Sequence, residues 1–102
     1  MLQEKFKISW QTYADHLRDM LHKLMTSNEL TDVTFVSDDK KYFKAHRIIL
    51  SASSTVFKNM ISGSISSSPI IYLRGIQSYE LESILQFFYL GEATFYQEWM
   101  NF

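Results

Sequence analysis

Apolar and polar positions follow two different rhythms along this chain. Phe6, Ile8 and Trp10 alternate with Lys7 and Ser9, the period of a short strand with one buried face. From Gln11 to Ser27 the spacing changes. Tyr13, Leu17, Met20, Leu21 and Leu24 recur every three or four residues, which predicts an amphipathic helix. Asp15, Arg18, Asp19 and Lys23 take the other face, with Asp15 and Asp19 placed to pair with Arg18 and Lys23. Alternation and β-branched residues return over Asp32 to Ser37, a second strand. Asp38-Asp39-Lys40 supplies turn chemistry, and Lys41 to Lys44 comes back as its hairpin mate.

Lys44 to Met60 reads as two short helices joined by a serine-rich corner. Ile48, Ile49 and Leu50 are the apolar part of the first, and Val56, Phe57, Met60 and Ile61 of the second. Ser53 or Ser54 can cap the second helix with a side-chain oxygen, and Gly63 is expected to end it in the left-handed conformation. Ser62 to Ser68 has the composition of a mobile loop; its serines are candidate phosphorylation sites, though most such loops are simply solvated. Pro69 to Leu73 predicts a strand, with proline first, where a missing donor matters least. Parallel or mixed pairing with the hairpin suits it. Arg74 and Gly75 turn the chain into a last helix, Ser78 to Leu90, whose Leu81, Ile84, Leu85 and Phe88 share one face; Gly91 stops it. Ala93 to Tyr96 fits one more short strand. The strand around Ile8 stands alone before its helix, so it must pair with the main sheet or with another chain.

The 102 residues suffice for one small domain, 1–102, with a single core. An aromatic content of 16% must be buried in that core or against a partner. A formal charge of −1 provides no basic field, so direct nucleic-acid binding is not expected. With no cysteine there is neither a disulfide nor a thiolate metal site. The first ten residues lack the apolar core of a secretory signal, and no apolar run approaches membrane-spanning length. A soluble cytosolic or nuclear chain is expected.

Chemistry finds little purchase in this sequence. No serine sits in a nucleophile elbow, there is no Cys–His pair, and the three glycines are scattered singly. His16 and His22 lie six apart on a helix and point to different faces, so they do not share a metal. Asp38 and Asp39 fall in a turn, where they serve geometry and solubility. The expectation is a chain with no catalytic residues, no metal and no cofactor.

Residue order says more than periodicity. Ala45, His46, Arg47, Leu50, Ala52, Ser54 and Phe57 match, without a gap, the A-H-[RK]-x-x-L-x-A-x-S-x-x-F pattern of the BTB/POZ family. Leu30-Thr31-Asp32-Val33-Thr34-Phe35 resembles that family's first core strand, and Phe87-Phe88-Tyr89-Leu90-Gly91-Glu92 resembles its [FY]-x-Y-x-G-x segment. The resemblance covers about Phe6 to Tyr96. It implies an α+β fold, a small mixed β-sheet flanked by α-helices, with Ala45, His46, Leu50, Ser54, Phe57, Tyr89 and Gly91 in structural roles. The family's usual C-terminal helical hairpin is missing, so the chain reads as C-terminally truncated, leaving Phe95, Trp99, Met100 and Phe102 poorly covered.

The same resemblance implies function. Phe6 and Trp10 look like the extended N-terminus of the insect group named after tramtrack, in which self-association serves transcription. On that basis Phe6, Ile8, Trp10, Tyr13, Leu17, Met20, Leu21 and Leu24 form a dimer interface, with the N-terminal strand exchanged between subunits. Asp32 and Arg47 line a charged pocket beside it. The implied partners are a second copy or another BTB domain, giving a homodimer or higher oligomer, and co-regulators, in the nucleus. No nucleic acid is bound by this domain, and no membrane. The alternative is a substrate adaptor of a cullin-based ubiquitin ligase, which would be cytoplasmic; zinc-finger or helix-turn-helix motifs elsewhere in the gene favour the first, kelch repeats the second.

Overall fold

The structure, a computed structural model, describes residues 3–94. The elements run α1 (Tyr13–Ser27), β1 (Val33–Val36), β2 (Tyr42–Ala45), α2 (Arg47–Ser53), α3 (Thr55–Ser62), β3 (Ile70–Tyr72) and α4 (Ser78–Leu90). The sheet order is β2-β1-β3, antiparallel on one side of β1 and parallel on the other. This is the small mixed sheet of an α+β fold.

One face of the sheet carries the core. Val33, Phe35 and Ala45 project from it towards Leu50, Phe57, Ile61, Leu73, Leu81, Leu85 and Tyr89, all buried. Phe57 sits between Phe35 and Phe88, with edge-on ring contacts of 5.2 and 5.5 Å, a geometry that aromatic quadrupoles favour. The strand at Pro69 behaves as its sequence predicts: the Pro69 carbonyl accepts from Thr34 N–H, and Leu73 N–H donates to Val36.

Ser54 makes the corner between α2 and α3. Its N–H donates to Leu50 C=O, closing α2, and its Oγ accepts from Phe57 N–H at 3.3 Å, opening α3. The cap is therefore Ser54 and not Ser53, whose hydroxyl bonds back to Ile49 C=O. Gly63 does end α3, but in a right-handed conformation (φ −70°), so the expected left-handed stop is corrected. Gly91, at φ 75°, is the left-handed C-cap of α4.

Four other expectations change. Residues 3–10 form no strand within this chain, and Trp10 instead folds onto α1, its ring against Tyr13 and His16 and its Nε1–H donating to Thr12 Oγ1. Neither the Asp15–Arg18 nor the Asp19–Lys23 pair forms; Arg18 reaches across to Glu92. Leu30 lies before β1, not in it, and has φ 61°. Ala93 and Thr94 are not in a strand. The remaining expectations at Phe95, Tyr96, Trp99, Met100 and Phe102, and the closing hairpin, fall outside the described residues.

Candidate functional site

The N-terminal arm, residues 3–10, is exposed throughout. Phe6 and Ile8 are 84% and 95% exposed, and the backbone around them has no hydrogen-bond partner among the described residues. α1 follows with no buried residue in its fifteen. Leu17, Leu21 and Leu24 turn partly towards the body, whereas Tyr13 and Met20 stay exposed. An apolar stripe on an α-helix normally buries itself. Among the described residues this one is left half-used, and it follows directly on the exposed segment 3–10.

Asp32 and Arg47 meet within the chain. Arg47 Nε donates to Asp32 Oδ2 at 3.1 Å, and the Arg47 main-chain N–H donates to Oδ1 at 2.7 Å. The second bond gives Asp32 another task. His46, the N-cap residue of α2, offers no side-chain cap; Asp32 supplies one from the start of the hairpin, a carboxylate at the positive end of a helix. Partial burial opposes ionisation of this carboxyl, but the bonds from Arg47 outweigh it and hold it below the usual carboxylate range. In the single chain the Arg47 and Asp32 side chains are 39% and 40% exposed. Such a pair contributes only about 0–1 kcal/mol as an ion pair.

His46 is a structural pin. Its backbone N–H donates to Tyr89 Oη at 2.9 Å, its Nδ1 lies 2.6 Å from the same oxygen, and its Nε2 lies 2.6 Å from Glu29 C=O. A carbonyl only accepts, so Nε2 carries the proton. In the neutral ring Nδ1 then accepts from the Tyr89 hydroxyl. Burial pushes the Tyr89 phenol up to about 12, which keeps that hydroxyl a donor. Glu29 sits between Asn28 and Leu30, both left-handed, so His46 clamps the strained bend that joins α1 to the sheet. Ala45, Leu50, Phe57 and Tyr89 are all buried.

The turn Asp38–Lys40 does more than the sequence suggests. Asp38 accepts from Gly75 N–H and from the Tyr72 hydroxyl, and these bonds, with Lys40 nearby, hold its carboxyl low. Asp39 accepts from Ser78 N–H and Oγ, at the first residue of α4. The only sequence signal was two adjacent acids in a turn, which does not say what lies opposite. Among the described residues no cluster of three or more acids or histidines is placed to hold a metal ion, and no helix is long and apolar enough to cross a membrane.

Comparison with known proteins adds the context. The family model described as "BTB/POZ domain" matches residues 21–101. The chain is 32% identical over 95 residues to the Drosophila melanogaster longitudinals lacking protein-like, covering 93% of this chain and 74% of that one. It is 29% identical over 98 residues to Drosophila tramtrack, alpha isoform, covering 96% of this chain but 12% of tramtrack. Similarity to Drosophila abrupt, 27% over 92 residues, covers 90% of this chain and 10% of that protein. The chain thus spans about a tenth of the length of tramtrack and abrupt. Among solved structures, the BTB domain of zebrafish PATZ1 shares the fold, with a TM-score of 0.76 at 18% identity over 92% of this chain and 76% of that one.

Proposed function

Because this chain belongs to the BTB/POZ domain family, a family of protein-interaction modules, we propose that it is the self-association module of a transcription or chromatin regulator. One observation carries the reading. Phe6 and Ile8 stand free on an unpaired segment that leads into a helix with no buried residue. Segment 3–10 is the exchanged element and α1 the helix that packs on its copy, with Asp32 and Arg47 at the edge of the contact. Apolar surface of this kind is buried by association.

Self-association would bring two copies of any module attached to the chain onto one target and raise their effective concentration there. Similarity to tramtrack supports the regulatory setting and, with it, a nuclear location and co-regulator partners. A formal charge of −1 supports contact with protein rather than with nucleic acid. Absolute mass by light scattering after size exclusion, across a dilution series, tests the reading. A dimer or defined higher multiple of 12.1 kDa is expected; a monomer at every concentration overturns it.

A further inference from the structure

The sheet of this domain has a free edge beside a groove. Thr34 and Val36 turn their main-chain groups to β3, since Thr34 N–H donates to Pro69 and Val36 C=O accepts from Leu73. Main-chain direction alternates along a strand. Val33, Phe35 and Ser37 therefore face β2, as the Ser37 N–H bond to Lys41 C=O shows. Phe35 is opposite Phe43 and Val33 opposite Ala45, so Phe43 and Ala45 point back to β1. Tyr42 and Lys44 point the other way, and their N–H and C=O groups have no partner among the described residues.

Along that edge runs a groove of about 500 Å³ between β2, the C-terminal half of α1 and α4. Phe43, Leu85, Tyr89 and Met25 give it an apolar lining, with His22 on the α1 side and Glu82 on the α4 side. An apolar pocket alone would not specify what fills it. A row of outward N–H and C=O groups at two-residue spacing does, because only an extended backbone satisfies both.

We propose that this edge docks an extended, acidic segment of a partner protein, which adds to β2 as a fourth strand. Alternate side chains of that segment enter the groove over Phe43 and are apolar. The intervening ones lie on the outer face of the sheet next to Tyr42 and Lys44, both exposed and in register with Val36 and Thr34. An acidic residue there meets Lys44 across the strands, a favourable pair, and stays away from Glu82 on the groove side. Charge also decides against the chain's own free segment. With Phe6, Ile8 and Trp10 inward, Lys5 and Lys7 would fall beside Lys44, and like charges opposite one another are unfavourable. The docking site is independent of self-association.

A fluorescent octapeptide alternating isoleucine and glutamate is the probe, followed by anisotropy and by amide hydrogen exchange on the full chain. Binding should slow exchange at Tyr42 and Lys44. Replacing the glutamates by lysine should weaken binding by about tenfold or more, and Lys44→Glu should reverse that preference. Methylating the peptide nitrogens that pair with β2 should abolish binding. No binding, exchange unchanged at Tyr42 and Lys44, or protection at the β3 edge (Ile70 and Tyr72) instead overturns the proposal. So does indifference to N-methylation. Protection of Tyr42 and Lys44 that rises with protein concentration in the absence of peptide would assign the edge to a second copy and overturn the acidic occupant.

Discussion

The carboxylate of Asp39, at the tip of the β1–β2 hairpin, holds Ser78 at the start of α4: one oxygen accepts from Ser78 N–H at 2.8 Å and the other from its hydroxyl at 2.6 Å. Asp32, at the other end of the same hairpin, accepts from Arg47 N–H at the start of α2. Two acids on one hairpin thus cap two helices, each far along the chain. The hairpin is the part on which both helices are set, since caps fix where a helix begins and how it enters.

Asp39 should make stability depend on acid pH. Hydrogen bonds from the hydroxyls of Ser37 and Ser78 hold its carboxyl down to about 2, against 3.8 for an ordinary aspartate. The folded-state value is the lower one, so the stabilisation is complete above the unfolded value and disappears as pH falls through about 2. Urea midpoints of the wild type and Asp39→Asn should therefore differ at pH 6 and converge as pH drops below the unfolded value. A gap that stays constant with pH would show that the charge of Asp39 has no part in holding α4.

Tyr89 offers a buried counterpart. Tyr89→Phe keeps the ring but leaves the His46 backbone N–H and ring Nδ1 without their partner. Unsatisfied buried groups of this kind cost about 1–3 kcal/mol, readable as a lower urea midpoint with an unchanged slope. The phenol supplies an independent signal. With its folded-state value raised from 10 to about 12 by burial, it stays neutral while an unfolded tyrosine would ionise. Stability should fall as pH rises above 10 in the wild type, and less steeply in Tyr89→Phe.

The Asp32–Arg47 contact separates two roles that one picture merges. Asp32→Ala removes a helix cap together with the ion pair and should cost about 1 kcal/mol in the monomer. Arg47→Gln keeps the capped N–H and removes only a partly exposed ion pair, for about 0–1 kcal/mol in the monomer. If this pair lines the contact with a second copy, desolvation raises the stakes, and breaking one partner of a buried pair costs about 3–5 kcal/mol. The Arg47→Gln penalty should then grow with protein concentration. Equal penalties at micromolar and near-millimolar chain would remove Arg47 from the interface.

Local patterning exposed most of the fold. The α4 stripe of Leu81, Leu85 and Phe88, the Ser54 corner and the proline-led strand could be read because each depends on residues within a few positions. The BTB/POZ resemblance gives His46 and Tyr89, 43 residues apart, structural roles, but their shared hydrogen bonds depend on a tertiary contact that no local pattern encodes. What stayed hidden depends on distant partners. Arg18 has one acid within helical reach, Asp15, and reaches Glu92 instead; Asp39 reads as turn solubility because nothing in the local sequence tells that α4 lies opposite it. Gly63 shows a different limit, since glycine permits a left-handed stop without requiring one. Leu30 fitted the strand motif by identity, but its positive φ is set by the bend that His46 clamps through Glu29.

The N-terminal arm gives the sharpest separation of stability from association. Phe6 and Ile8 touch little of their own chain, so Phe6→Asp with Ile8→Asp should change the unfolding free energy of the dilute protein by no more than about 0.5 kcal/mol. The same pair of changes places two carboxylates where exchange would bury two apolar side chains, which an interface core rejects. Mass by light scattering should fall towards 12.1 kDa at concentrations where the wild type is associated. Met20→Asp, on the exposed side of α1, tests the helix half of the contact in the same way, because no buried residue of α1 is disturbed. If the arm variant dissociates and the helix variant does not, exchange of segment 3–10 alone carries association. If neither changes the mass, the self-association surface lies elsewhere, and the exposed apolar stripe of α1 needs a different partner.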